Sequence, residues 1–106
     1  MLGRRYQVEI EIEYAGRSLP RDTADMLERP VRAVLDNQAS DLSFLVPSDV
    51  YNRIIVRATL TATTPLAAMA RLDRALDDAL MASGLFEESD VTGKVLHVAP
   101  LDHASR

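Results

Sequence analysis

The amino-acid sequence predicts an α+β domain with the element order strand, helix, strand, strand, helix, strand. Four segments alternate apolar and polar residues, two others space their apolar residues three and four apart, and turn-forming residues separate them. The chain has 106 residues, of which 47% are apolar, the usual size and composition of one domain with its own core. We therefore predict a single domain over residues 1–106, with an ordered core over about 4–99 and a frayed tail over 100–106.

The first strand is predicted over residues 6–14. Its inward residues alternate with polar residues that face water: Tyr6, Val8, Ile10, Ile12 and Tyr14 point one way, and Gln7, Glu9, Glu11 and Glu13 the other. A strand that is buried on one face only has this pattern, which is typical of antiparallel and mixed sheets.

The first helix is predicted from about residue 20 to residue 37, with Asp22 as its N-cap. Its apolar stripe has helical spacing and consists of Ala24, Leu27, Val31, Val34 and Leu35. Pro30 would remove a hydrogen bond in mid-helix. The helix is therefore either kinked there or begins near Arg29, and the stripe continuing in phase across the proline favours one kinked helix.

The second and third strands are predicted over residues 41–46 and 51–63. The second alternates inward Leu42, Phe44 and Val46 with outward Ser43 and Leu45. The third has an inward set rich in β-branched and aliphatic residues and an outward set rich in arginine and threonine. These sets are Ile54, Val56, Ala58, Leu60 and Ala62 inside, and Arg53, Arg57, Thr59, Thr61 and Thr63 outside.

The second helix has the clearest boundaries. Thr64 followed by Pro65 predicts its start, and Gly84 its end. Its inward stripe is Met69, Leu72, Leu76 and Leu80, and we interpret Asp73, Asp77 and Asp78 as a solvated face and Met26, Met69 and Met81 as core or near-core residues. A last strand is predicted over residues 91–99.

This element order resembles the ferredoxin-like sandwich. The resemblance implies a four-stranded antiparallel sheet with the first and third strands at its centre and both helices on one face. Because that fold carries many unrelated functions, it names none.

The helix-free face of such a sheet would carry five charged residues, namely Glu9, Glu11, Glu13, Arg53 and Arg57. One interpretation is that they form ordinary cross-strand pairs on a solvated surface. The other is that a second copy of the chain covers this face, with Ile55, Leu45 and Val95 as an apolar rim. Paired copies of that kind, as in the dimeric α+β barrels, can enclose a ligand.

We therefore expect a non-enzymatic binding or assembly module that forms a homodimer through the open sheet face or an edge strand. The main alternative is a small enzyme or ligand-binding protein of dimeric α+β barrel type, in which Glu11, Arg57 and His97 converge on a small molecule. A third is a component of a larger complex that contacts another protein.

Several classes of function are disfavoured by composition. The absence of cysteine excludes disulfides, thiolate metal sites and iron–sulfur clusters. His97 and His103 are too few for another metal site, so we predict no cofactor and no metal. The net charge of −4 and the lack of aromatic residues on the open face disfavour nucleic acid. No signal peptide or membrane span is recognisable, so a cytoplasmic location is expected.

Overall fold

The computed structural model describes residues 3–15, 22–45, 53–84 and 90–101. Within these ranges the chain forms strands β1 (Arg4–Tyr14), β2 (Ala39–Leu45), β3 (Arg53–Ala62) and β4 (Val91–Pro100), and helices α1 (Thr23–Leu35) and α2 (Pro65–Ser83). The predicted α+β class and the order of the elements are confirmed. The expectations for residues 20–21, Val46, residues 51–52, His103 and the rest of the tail after Leu101 lie outside the described residues.

The four strands form one antiparallel sheet in the order β2-β3-β1-β4. The central strand β1 pairs with β3 along Arg4–Glu13 and with β4 along Tyr6–Tyr14. Directly opposite residues share a face of the sheet. Glu9 therefore lies between Arg57 on one neighbouring strand and His97 on the other.

The core lies on one face of this sheet. Val8, Ile10 and Ile12 of β1 are at most 1% exposed, and they belong to the same apolar cluster as the buried residues of both helices. Because strand side chains alternate between faces, both helices cover the face that these even-numbered residues share. The inward residues predicted for β1 and β3 are all buried, so these predictions are confirmed.

Helix α1 continues through Pro30 from Thr23 to Leu35, as predicted for a single helix. Its buried stripe is Thr23, Leu27, Val31 and Leu35, at a regular spacing of four. Val34, predicted in the core, is 59% exposed, because it is rotated by one residue, about 100°, from Leu35 at the end of that stripe. Asp22 precedes the helix, but its side chain makes no capping hydrogen bond, and its φ and ψ of −91° and 14° are not the extended values of an ordinary N-cap.

Helix α2 begins and ends as predicted. The backbone N–H of Ala67 donates to Oγ1 of Thr64 at 3.0 Å, and Gly84 has the left-handed φ of 72°. The prediction that Met81 is a core or near-core residue is wrong, because this side chain is 61% exposed. Met26 is 38% exposed, and Met69 packs against the core as predicted. Within the described ranges, neither α1 nor α2 combines the length and apolar character needed to cross a bilayer.

Four strand ends differ from the predictions by one or two residues, among them the start of β2 at Ala39 and the end of β3 at Ala62. β1 begins at Arg4 rather than at Tyr6, and β4 includes Pro100, which lies opposite Tyr6. The pairing continues beyond it, because the backbone N–H of Leu101 donates to the carbonyl oxygen of Arg5 at 3.0 Å. The strand β4 therefore extends one residue beyond its predicted end at Ala99. Proline fits there because β4 is an edge strand and needs a ladder hydrogen bond on one side only.

Lys94 connects the edge strand β4 to helix α2. Its Nζ donates to Oδ1 of Asp73 at 2.8 Å and to Oδ1 of Asp77 at 3.0 Å. Asp77 and Asp78 are exposed, as predicted for a solvated face, whereas Asp73 is half-buried and pairs with Lys94. Burial by itself lowers the pKa of Lys94, but the hydrogen bonds and charges of the two aspartates outweigh burial, and the net shift of the pKa is upward.

We expect Lys94→Met to lower the free energy of unfolding at pH 7 by about 1 kcal/mol, because it removes a partly buried cation from two carboxylates. A raised pKa means that the charged lysine stabilises the folded state at every pH below its ordinary value of 10.5, and that this stabilisation is lost as the pH rises through the folded-state value. Urea denaturation at pH 7, 9 and 11 should show the difference from wild type shrinking at pH 11. Asp78→Asn, on the same helix, is the control and should change little; an equal loss in the two variants would contradict the prediction.

Candidate functional site

The sheet face opposite the helices is the candidate site, and we call it the open face. Its residues follow from the register of the ladders and the alternation of side chains. They are Arg5, Gln7, Glu9, Glu11 and Glu13 of β1, Arg53, Ile55, Arg57, Thr59 and Thr61 of β3, Ser40, Ser43 and Leu45 of β2, and Gly93, Val95, His97 and Ala99 of β4.

Glu9 and Arg57 form a direct cross-strand ion pair at the centre of the open face. The Nε of Arg57 donates to Oε1 of Glu9 at 2.7 Å. The arginine side chain is 56% exposed and that of the glutamate 31% exposed. A guanidinium carries five N–H donors, so this one bond leaves much of its donor capacity facing solvent.

Glu11 and Arg53 form a second pair, which runs diagonally across the two strands. Nη1 of Arg53 donates to Oε2 of Glu11 at 2.8 Å, although Arg53 lies opposite Glu13 in the ladder. The residue opposite Glu11 is Ile55, whose side chain can neither donate nor accept a hydrogen bond. The long arginine side chain therefore reaches across the diagonal, a distance that long side chains can span.

Glu13 lies at the end of the open face, exposed and beside the edge strand. None of the described residues forms an ion pair with its carboxylate. A Cβ atom added to Gly93, the residue opposite it on β4, would lie 3.0 Å from Oε1 of Glu13. Because Gly93 has no side chain, there is room beside it for the carboxylate of Glu13.

The structure brings all five predicted site residues to one face, but it does not join them as the acid–base alternative expected. Glu11 pairs with Arg53 rather than with Arg57. Arg57 and His97 flank Glu9 instead, and His97 is exposed.

Sequence reasoning missed Arg5 on this face, because it placed the start of the strand at Tyr6. Arg5 lies opposite Thr61 and is exposed. Extending the alternation of side chains from Gln7 back by two residues would have placed Arg5 on the same face. With Arg5 included, three arginines balance three glutamates, so the charges assigned to the open face sum to zero. Thr59, predicted to face water, is only 5% exposed on the open face, where it lies between Gln7 and Ser40.

A row that is apolar except for Glu11 crosses the sheet next to the Glu9–Arg57 pair. The ladders align Leu45, Ile55, Glu11 and Val95 in one line from β2 to β4. Leu45 is 58% exposed and Val95 is 50% exposed, at opposite edges of the sheet. The face therefore carries paired charges at its centre and uncovered apolar side chains at both edges.

Two pockets lined by described residues lie away from the centre of the open face. One depression of about 600 Å³ follows the outer side of α1, and another of about 340 Å³ lies beside Arg4, Arg5 and Leu101. Neither includes Glu11 or Arg57. In the described part of the chain, no three histidine, aspartate or glutamate side chains lie close enough together to hold a metal ion.

No protein-family model matches the chain, and neither a curated protein nor a solved structure matches it. We therefore infer function from the open face itself.

Proposed function

We propose that this chain is a non-enzymatic assembly module that forms a homodimer through the open face of a ferredoxin-like sandwich. The strand order β2-β3-β1-β4 and the single helix-covered face support the fold assignment. The observation that carries the functional proposal is the composition of the open face. Its charges sum to zero, and exposed Leu45 and Val95 lie at its two edges.

A second copy of the chain fits this face better than a charged partner does. A neutral face can meet its own copy without net repulsion, whereas a strongly basic or acidic partner would find no excess of opposite charge. Four strands spaced about 4.8 Å apart and about ten residues long cover about 600 Å². Two such faces would bury about 1,200 Å² in total, which is at the lower end of the range for specific protein interfaces.

Assembly is favoured over chemistry because the central carboxylates are already engaged. Glu9 and Glu11 each accept a hydrogen bond from an arginine within the same chain. A general base must accept a hydrogen bond from the proton that it removes, and one oxygen of each of these carboxylates already accepts from an arginine. The dimeric α+β barrel alternative would therefore require these two pairs to open.

Sedimentation of two lysine variants tests the proposal. We expect the wild type to sediment as a dimer at low micromolar concentration. Val95→Lys should weaken the dimer by about tenfold or more, because a charge would then occupy a buried apolar contact. The new lysine would lie opposite Glu11, so the fold itself should tolerate it.

Met81→Lys is the matched control, since Met81 is a similarly exposed apolar residue on helix α2. This variant should dimerise like the wild type. A wild-type chain that is monomeric at about 100 µM, or a dimer unaffected by Val95→Lys, would overturn the proposal.

A further inference from the structure

The direction of the dimer axis relative to the strands decides which residues meet. Two sheets that pack face to face in the aligned arrangement keep their strand directions within about 30° of each other, and a homodimer of this kind has a twofold axis. An axis along the strands, between β1 and β3, places β1 over β3 of the partner and β2 over its β4. An axis across the strands places each strand over its own copy, reversed in direction.

The charges of the open face distinguish these two arrangements. With the axis along the strands, Glu9 lies over Arg57 of the partner subunit, and Glu13 lies over Arg53 of the partner subunit. With the axis across the strands, an axis through the row of Glu9 places Glu9 over Glu9 of the partner subunit, and an axis through the row of Glu11 places Glu9 over Glu13 of the partner subunit. Only an axis displaced towards Arg5 avoids these contacts, and it reduces the overlap of the two faces. Juxtaposed like charges cost several kcal/mol at an interface.

The Glu9–Arg57 ion pair has donors available for the carboxylate of a second copy of the chain. Arg57 binds Glu9 through Nε, and its exposed guanidinium retains further donors for a second carboxylate. Two Glu9–Arg57 pairs, one from each copy, would then face each other as a closed ring of four alternating charges around the axis. Such a ring lets each arginine bind two carboxylates at once.

The exposed apolar residues at the two edges of the sheet also meet each other when the twofold axis is parallel to the strands. An axis along the strands exchanges the two edges of the sheet, so Leu45 lies over Val95 of the partner subunit, and Val95 over the partner's Leu45. These side chains are 58% and 50% exposed in the single chain, and each would gain an apolar neighbour. From these two features we infer that the proposed homodimer, on which this inference rests, has its twofold axis parallel to the strands, with Glu9 over Arg57 of the partner subunit.

A charge-swapped variant tests the direction of the axis. The double substitution Glu9→Arg with Arg57→Glu keeps the pair within one chain and keeps opposite charges across the inferred axis. This variant should therefore dimerise by itself. Mixed with isotope-labelled wild type, however, it would place glutamate over glutamate and arginine over arginine. Native mass spectrometry of the mixture should show heterodimers at no more than about a tenth of all dimers, against about half for random exchange.

Two results would overturn the inference while leaving dimerisation intact. A random proportion of heterodimers would mean that these residues do not meet across the interface. An excess of heterodimers would place Glu9 over its own counterpart and hence the axis across the strands. A monomeric wild type, by contrast, would overturn the proposed dimer itself.

Cross-linking gives a second test, which does not depend on the charge swap folding. The chain has no cysteine, so Leu45→Cys and Val95→Cys each introduce a single thiol. A bismaleimide that spans about 10 Å, the spacing of face-packed sheets, should join the two variants in a mixture and should join neither variant to itself. Covalent dimers of Leu45→Cys alone would contradict an axis along the strands.

Discussion

Replacing Ile54 by alanine is expected to lower the free energy of unfolding by about 3–4 kcal/mol. Ile54 is 0% exposed and belongs to the core cluster beneath the two helices. Removing three buried carbon atoms loses their transfer free energy and leaves a cavity that the surrounding sheet cannot fill. Guanidinium denaturation, followed by far-ultraviolet circular dichroism, measures the loss.

The next residue along the same strand supplies the control. Ile55→Ala makes the same deletion on the open face, where the side chain is only half buried. We expect it to cost the single chain about 1 kcal/mol or less. If the open face is an interface, Ile55→Ala should also weaken dimerisation, which Ile54→Ala should affect only through folding. Equal losses of stability in the two variants would contradict the assignment of the two faces.

Replacing Pro30 by alanine is expected to raise the free energy of unfolding by about 2 kcal/mol. Pro30 lies inside helix α1, as the eighth residue counted from Thr23. There it lacks the N–H that would bond to the carbonyl group one turn earlier, and its ring crowds that turn. Alanine restores the donor and has the highest helix propensity. Thermal and denaturant unfolding both measure the gain.

Arg29→Ala is the control for this prediction, because it changes an exposed neighbour in the same helix without altering a backbone hydrogen bond. It should shift stability by no more than about 0.5 kcal/mol. A loss of stability in Pro30→Ala would mean that the half-buried proline ring contributes more through packing than it costs through the missing hydrogen bond.

Much of the fold could be predicted because side-chain alternation is a local property of the backbone. In β1 and β3 the period of two names the buried residues, from Val8 and Ile10 to Ile54 and Val56, without any knowledge of their neighbours. In α1 the same approach was less successful. Its buried stripe contains the polar residue Thr23, which a search for hydrophobic residues does not select. The stripe does not contain Val34, which such a search selects because it is apolar.

The candidate site could be located from the sequence, but its contacts could not. Alternation alone places Glu9, Glu11, Arg53 and Arg57 on the same side of two strands. Which carboxylate meets which guanidinium depends on the register of strands that are more than 40 residues apart in sequence, and the register places Ile55 opposite Glu11. The bond from Lys94 to Asp73 depends in the same way on how α2 packs against β4.

The central position of β1 has a consequence for how the chain folds as it is synthesised. Among the described elements β1 is synthesised first, and β4, one of its two hydrogen-bonding partners, is synthesised last. Until then one edge of β1 carries unpaired backbone groups next to apolar side chains, a state that favours intermolecular strand pairing. Closing contacts over such a long stretch of chain also slows folding. We therefore expect nascent chains that stop before β4 to depend on chaperones, and the emergence of β4 from the ribosome to trigger their folding.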